Sequence, residues 1–352
     1  MEKIKFLNKM FSVQNQYSKD IKYKVLKILG FEIKIKTNKK QQIVPNFREI
    51  RLELTNMCGC HCYMCPRDNM TRKQGVISVS NLSTILSKIA YINYPCFIHL
   101  HGQGEALLCK DLEEMLMLIK KQNANFIPHI TTTLAYKIEK NKLESILKAG
   151  LEDIIVSLYA YDKDSYKIVH GSDNFEYVLE NLKNLAELKN NYNVKIQINL
   201  DDFGENYPIN IAESERIEKR ENFKNYLKTM GYLDSEFGKM ELHSYGNLKE
   251  QDKFPKYTSK IPCSIAWGTR RDILQIDWEG NVIPCCFDMN STYKWGNILE
   301  QSLEEIFSSK ARSTFIKKVL NFDKIKLCEG CFEYKRYDNN IESEYFKELN
   351  NR

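Results

Sequence analysis

LELTNMCGCHCYMCPR, residues 52–67, sets four cysteines within eight residues, directly behind a short β-type run. Cys58, Cys62 and Cys65 are separated by three and two residues, so three thiolates share one short loop. Three thiolates can bind three irons of a cubane cluster and leave the fourth iron open to a small ligand. The competing assignment is a zinc knuckle or a set of buried thiols, although zinc sites favour four closed ligands and paired Cys-x2-Cys spacing. Cys60 lies inside the motif, but neither spacing can be met with it, which makes it a bystander.

Outward from this loop, short runs rich in β-branched and aromatic residues recur at 50–55, 96–100, 126–132, 153–158, 194–200 and, more weakly, 239–244. Runs of this kind read as buried parallel strands. Segments with helical periodicity lie between them, at 80–92, 112–121, 139–149, 174–189 and 211–230. Ser80 and Asp111 are placed to cap the first two. Strand-helix repetition predicts an α/β fold of six βα units, in which chemistry collects at the C-terminal strand ends. The cysteine loop follows the first of those ends.

Past residue 255 the pattern changes. DILQIDWEGNVIPCC reads as a hairpin turning at Glu279-Gly280-Asn281, and 303–320 as a helix leading to Cys328 and Cys331. Cys263, Cys285, Cys328 and Cys331 form a second set of four thiolates, enough for a closed cluster or a structural zinc site. Cys285 and Cys286 are adjacent and point apart on a strand, so one ligates, and Cys285 is taken. Cys60, Cys96, Cys109 and Cys286 are left over. Eleven cysteines also argue for metal or thiol chemistry over disulfides in a protein expected to be cytoplasmic.

The 352 residues carry a net charge of +6, but residues 1–48 hold 12 Lys/Arg against 3 Asp/Glu, leaving the remainder slightly acidic. A phosphate-tracking basic body is therefore excluded, and with it a nucleic-acid partner. No apolar run approaches the length of a membrane span. The basic extension 1–48 ends in the alternation Phe31, Ile33, Ile35 against Glu32, Lys34, Lys36. That predicts a lysine-protected edge strand or, alternatively, a surface for an anionic partner. The tail 336–352 is polar.

LELTNMCGCHCYMCPR resembles the CxxxCxxC motif of the radical S-adenosylmethionine (SAM) superfamily. LHGQGEALL resembles its GGE-type turn after the second strand, ITTTLAY its Thr-Asn-Gly segment, and IIVSLY its fourth-strand segment. PCSIAWG, IDWEGNVIPCCFD and LCEGC resemble the SPASM or shortened twitch domain, which holds auxiliary clusters. The resemblance implies a partial TIM barrel, (β/α)6, at 49–250 and a small cysteine-rich α+β domain at 251–335.

By that resemblance Cys58, Cys62 and Cys65 ligate the 4Fe-4S cluster that binds SAM, and Cys263, Cys285, Cys328 and Cys331 ligate one auxiliary 4Fe-4S cluster. Gly102, Gly104, Glu105, Thr132, Ser157 and Asn199 frame the SAM site. Met64 precedes the last cysteine where an aromatic is common, and TTT replaces Thr-Asn-Gly, but neither departure removes a ligand. The implied activity is reductive cleavage of SAM to a 5′-deoxyadenosyl radical that takes hydrogen from a substrate, with flavodoxin or ferredoxin as donor. One auxiliary cluster suits oxidation of a sugar- or aminocyclitol-type small molecule. The alternatives are peptide maturation, and a non-enzymatic iron-sulfur or zinc protein on the same scaffold.

No catalytic base is assigned: Tyr159, His170, His243 and Arg271 fall near the expected mouth, and each also suits a packed or solvated role. His99 and His101 flank Leu100 and share a face, as cavity lining or as satisfied core histidines. Trp267, Trp278 and Trp295 all fall in the C-terminal part, where their apolar area would shield a cluster.

Overall fold

The computed structural model describes strands at 11–18, 21–28 and 31–37, residues 44–200, 207–232 and 235–236, Tyr245, Cys263, residues 273–321 and 323–328, and Cys331. Strands β1 (Phe11–Ser18), β2 (Ile21–Ile28) and β3 (Phe31–Thr37) form an antiparallel sheet of their own, with Phe11 opposite Ile28 and Ile28 opposite Phe31. The expected single edge strand is thus the third of three. The alternation of lysine with apolar residues at 31–36 is already present in IKYKVLKI.

The main sheet is built on six parallel strands in chain order: β4 (Glu49–Leu52), β5 (Cys96–His99), β6 (Phe126–Thr132), β7 (Asp153–Ser157), β8 (Lys195–Asn199) and β9 (Ser235–Glu236). Helices α1 (Val79–Ile89), α2 (Leu112–Gln122), α3 (Lys140–Lys148), α4 (Lys163–His170), α5 (Phe175–Tyr192) and α6 (Glu213–Thr229) occupy the crossovers. This is the α/β partial barrel predicted from the repeat. The sixth strand stands at 235–236, and the segment 239–244 expected to supply it lies outside the described residues.

Alternation divides each strand into two faces. Ile50 and Leu52, Ile98 and Leu100, Ile154 and Val156, and Ile196 and Ile198 are all buried in one core. That core includes the stripe Leu82, Ile85, Leu86 and Ile89 of α1, at the i, i+3, i+4, i+7 spacing of an amphipathic helix. Each such side chain contributes about 1.5–3 kcal/mol by leaving water. The opposite face carries Arg51, His99, His129 and Asp153 in register across β4 to β7, with Gln197 of β8 on the same face opposite Ile155, so this part of the barrel inside is polar.

The sheet continues across residue 251. Strand β10 (Ile273–Ile276) pairs parallel to β4, and β11 (Asn281–Ile283) and β12 (Gly296–Asn297) follow antiparallel. The hairpin between β10 and β11 turns at Asp277–Gly280, where buried Asp277 accepts from the backbone N–H groups of Glu279 and Asn281 and from Ser291 Oγ at 2.6 Å. Gly280 has φ +84°, a conformation that favours glycine.

Three helix expectations change. Ser78, not Ser80, caps α1, its hydroxyl accepting from the Asn81 N–H at 3.1 Å. Asp111 precedes α2 without a side-chain cap bond. The stretch 303–320 is two helices, α7 (Leu303–Phe307) and α8 (Lys310–Leu320), because the Ser309 hydroxyl accepts from the Arg312 N–H and starts a new helix. Helix α4, absent from the sequence expectation, has a capping box between Asp162 and Ser165 and ends at Gly171 in the left-handed region.

Candidate active site

The cysteine loop leaves the end of β4 and is clamped on two sides. The backbone N–H groups of His61 and Tyr63 donate to the carbonyls of His170 and Val169 at 3.0 and 2.7 Å, which fixes the loop on the last turn of α4. A Cβ on Gly171 would come within 2.6 Å of the His61 carbonyl oxygen, so the close approach requires glycine there. From the loop after β6, the Tyr136 hydroxyl accepts from the Gly59 N–H at 2.8 Å and lies 3.9 Å from Cys58 Sγ.

Cys58, Cys62 and Cys65 are partly buried and form no disulfide. Contact with Cys60, then burial, hold the Cys58 thiol well above its ordinary range. Cys60 is buried, with Sγ 3.7 Å from Thr133 Oγ1. Its contact with Cys58 lowers its pKa, but contact with Cys62 and burial win and push it up to about 12. Cys96 and Cys109 sit in the hydrophobic core, where burial pushes each to about 12.

His170 is fully buried, and burial brings it down to about 4. Its Nε2 lies 2.6 Å from the Leu158 carbonyl, which can only accept, so Nε2 carries the proton and Nδ1 faces Cys62 Sγ at 3.4 Å. It is therefore a packed neighbour of the cysteine loop, already bonded on one side.

The turn after β5 packs backbone to backbone on the cysteine loop. The Glu105 N–H donates to the Met57 carbonyl at 2.8 Å, and a Cβ on Gly104 would lie 2.4 Å from the Thr55 oxygen. Glu105 is buried, which raises its carboxyl pKa. Its Oε1 accepts from the Leu107 N–H, and its Oε2 from the Thr133 N–H at 3.0 Å and Thr133 Oγ1 at 3.2 Å. Gly102 lies against Glu53, 2.5 Å from Cβ if a side chain were added.

Glu53 and Arg72 escaped the sequence reading. Arg72 donates through Nη1 and Nη2 to Glu53 at 2.7 and 2.5 Å and through Nε to the Met289 carbonyl. Glu53 also accepts from the backbone N–H groups of Gln103 and Trp278. One carboxylate therefore joins the cysteine-loop strand, the turn and the C-terminal hairpin. The only local signal is a charge inside the apolar run LEL.

Of the other residues expected at the site, Thr132 is buried on the face it shares with Ile130, and its hydroxyl accepts from the Leu134 N–H at 3.0 Å. Ser157 and Asn199 pair at the ends of β7 and β8, on the polar face. The Asn199 amide donates to Tyr159 Oη at 3.4 Å, and Tyr159 itself has φ +43°. His243 and Arg271 lie outside the described residues, as does Trp267.

In the C-terminal set, Cys285 is partly buried; burial first, then Cys286, Cys328 and Cys331, hold its thiol well above the ordinary range. Cys328 and Cys331 sit on one turn, the Cys331 N–H donating to the Cys328 carbonyl. Cys263 is partly buried against the same core. Cys286 is tied elsewhere: its carbonyl accepts from Gln103 Nε2 at 2.7 Å. Tyr245 packs edge-on against Phe287, with ring centroids 5.3 Å apart, and its phenol is held up by burial and then by Cys65, Cys286, Tyr159 and Cys62.

Three thiols on one clamped loop, a glycine turn in backbone contact with it, and a second thiol group in the C-terminal part joined to the same sheet fit two iron-sulfur centres. The class defined is a partial-barrel iron-sulfur enzyme. The sequence matches the radical SAM superfamily over residues 52–213 and the iron-sulfur cluster-binding SPASM domain over residues 263–332. The chain belongs to the radical SAM superfamily and carries a C-terminal SPASM domain; it is an enzyme whose cofactors are SAM and 4Fe-4S clusters.

Similar proteins include the S-adenosyl-L-methionine-dependent 2-deoxy-scyllo-inosamine dehydrogenase of Niallia circulans, 23% identical over 81% of this chain and 92% of that protein. A probable GTP 3′,8-cyclase of Sulfurisphaera tokodaii is 24% identical over 52% of this chain and 64% of its own length. Among solved structures, BtrN with AdoMet and 2-DOIA shares the fold at a TM-score of 0.54, with 18% identity over 82% of this chain and 94% of that one. AnSMEcpe with bound AdoMet does so at 0.56, with 16% identity over 88% and 96%. Among the described residues no helix is long and apolar enough to cross a membrane.

Proposed function

We propose that this enzyme oxidises, or otherwise modifies by radical chemistry, a sugar- or aminocyclitol-type small molecule. In this reading Cys58, Cys62 and Cys65 hold the SAM-binding cluster, and Cys263, Cys285, Cys328 and Cys331 hold one auxiliary cluster. The observation that carries the reading is that β10 of the C-terminal part pairs with β4, whose end bears the cysteine loop, while Gln103 of the turn after β5 donates to the backbone carbonyl next to Cys285. An electron acceptor would then border the place where hydrogen is removed. The substrate class follows the Niallia circulans dehydrogenase, matched over 92% of its length.

When bound and reduced, the first cluster supplies cleavage of SAM to a 5′-deoxyadenosyl radical that abstracts hydrogen. The chain's own residues set the frame for this. The carbonyls of Val169 and His170 and the Tyr136 hydroxyl hold the loop N–H groups of Tyr63, His61 and Gly59, fixing the thiols before metal arrives. Glu105 locks the turn that brings Gly102 and Gly104 against the loop. Asn199 orients Tyr159 at the mouth. Four thiolates close the auxiliary site to substrate and suit it to electron transfer. A flavodoxin or ferredoxin is the proposed donor, and the cytoplasm the proposed compartment.

A second reading, peptide modification, draws support from the three-stranded sheet at 11–37, since an open sheet edge can take an extended peptide as a further strand. Replacing Cys58, Cys62 and Cys65 by Ala tests the assignment of the loop. SAM cleavage should be abolished while about four irons per chain remain on the C-terminal set. Unchanged cleavage would remove the loop from the mechanism. Zinc in place of the remaining iron would remove the internal acceptor and shift the reading to a redox-neutral radical reaction.

A further inference from the structure

Inside the barrel, on the polar face and apart from both cysteine groups, three histidines converge. His99 belongs to β5, His101 follows two residues on, and His129 faces His99 from β6. Their rings are 4.3 Å apart for His99 and His129, 5.3 Å for His99 and His101, and 5.7 Å for His101 and His129. One nitrogen from each lies within 4.8 Å of the others. Tetrahedral coordination at 2.0–2.1 Å needs nitrogens about 3.4 Å apart, a gap that small ring rotations close.

The surroundings fit a cation better than they fit three imidazoles alone. The Nδ1 atoms of His99 and His101 are buried without a hydrogen-bond partner, and an orphaned buried nitrogen is unfavourable. Adding protons does not solve this, because three clustered imidazolium ions would repel one another beside Arg51. Burial and these neighbours hold His99 down at about 3 and His101 well below its ordinary value, so both are neutral. Neutral imidazole is the form that ligates.

Carboxylates stand at the outer edge. Asp153 Oδ2 is 3.3 Å from His129 Nδ1, and Glu49 Oε1 is 3.6 Å from His99 Nε2. His129 Nδ1 also lacks a formed hydrogen bond, and Asp153 stands where a carboxylate can orient a metal-bound imidazole. Gln197 in turn donates to Asp153 at 3.0 Å, and Thr131 Oγ1 lies 3.3 Å from His129 Nε2. Glu49 is itself paired with Arg51, which leaves Asp153 as the carboxylate facing the histidine group.

We infer that His99, His101 and His129 form a binding site for one divalent transition-metal ion of the zinc class. Three protein ligands leave a fourth coordination position for water. The test uses cluster-loaded enzyme dialysed against Zn2+, read by zinc content and by X-ray absorption at the zinc edge. About one zinc per chain in a shell of nitrogen and oxygen only, at about 2.0 Å, is the expected result; zinc captured by cysteines would show sulfur at about 2.3 Å. His99→Asn and His129→Asn should each lower bound zinc at least tenfold. Asp153→Asn keeps all three ligands and should weaken zinc 10- to 100-fold. The inference is overturned if the wild-type enzyme retains no zinc, if its zinc has a sulfur shell, or if the zinc content is unchanged in folded variants. Should the histidine variants not fold, the wild-type shell decides alone.

Discussion

Glu53 is a carboxylate buried to 2% exposure that accepts from four donors: two guanidinium nitrogens of Arg72 and the backbone N–H groups of Gln103 and Trp278, with Arg72 itself anchored on the Met289 carbonyl. Removing one partner of such a pair leaves a charge out of water and costs about 3–5 kcal/mol. Arg72→Ala should lower stability by that amount in urea unfolding, and a loss under about 1 kcal/mol would show that Glu53 finds other compensation. The contrast with the cysteine loop explains what could be read in advance. Cys58, Cys62 and Cys65 are local to one loop, so spacing alone exposes them. Arg72 is 19 residues from Glu53, and nothing in either neighbourhood pairs them. The same holds for the histidines: the shared face of His99 and His101 is evident from alternation, whereas His129 joins them only through the register of β6 on β5.

At the scale of elements, strands β4 to β8 were legible because each is a short apolar run whose buried face is continuous, and their order followed from the crossovers. Helix boundaries were less so, since hydroxyls near a start compete for the cap: Ser78 and Ser80 lie 2.9 Å apart and only Ser78 bonds the first turn. Helix α4 has eight residues, too few to show a period, and only its capping box and Gly171 mark it. Ser302 and Glu305 form a second capping box at α7. Ser302→Ala should destabilise the protein by about 1 kcal/mol, seen as a lower melting temperature. An effect near zero would mean that packing of Leu303 and Ile306 alone holds this short helix.

For the whole molecule, the sheet and the core both run from the barrel into the SPASM part, with Leu274, Ile276 and Val282 in the same cluster as Ile50 and Leu52. Unfolding should therefore be a single event across both parts. All three tryptophans, Trp267, Trp278 and Trp295, lie beyond residue 251, so fluorescence reports the C-terminal part and far-ultraviolet circular dichroism is weighted to the barrel. Coincident urea midpoints for the two signals are expected, and separated midpoints would show that the parts fold independently. The pairing of β10 with β4 also orders events at the ribosome. The first barrel strand ends at Leu52 and its outer neighbour begins at Ile273, so translation at 5–20 residues per second leaves that edge unpaired for about 10–45 s. A nascent barrel thus emerges with a sticky flank and only its first set of thiols, and any chaperone or iron carrier that attends it meets that half-finished form first.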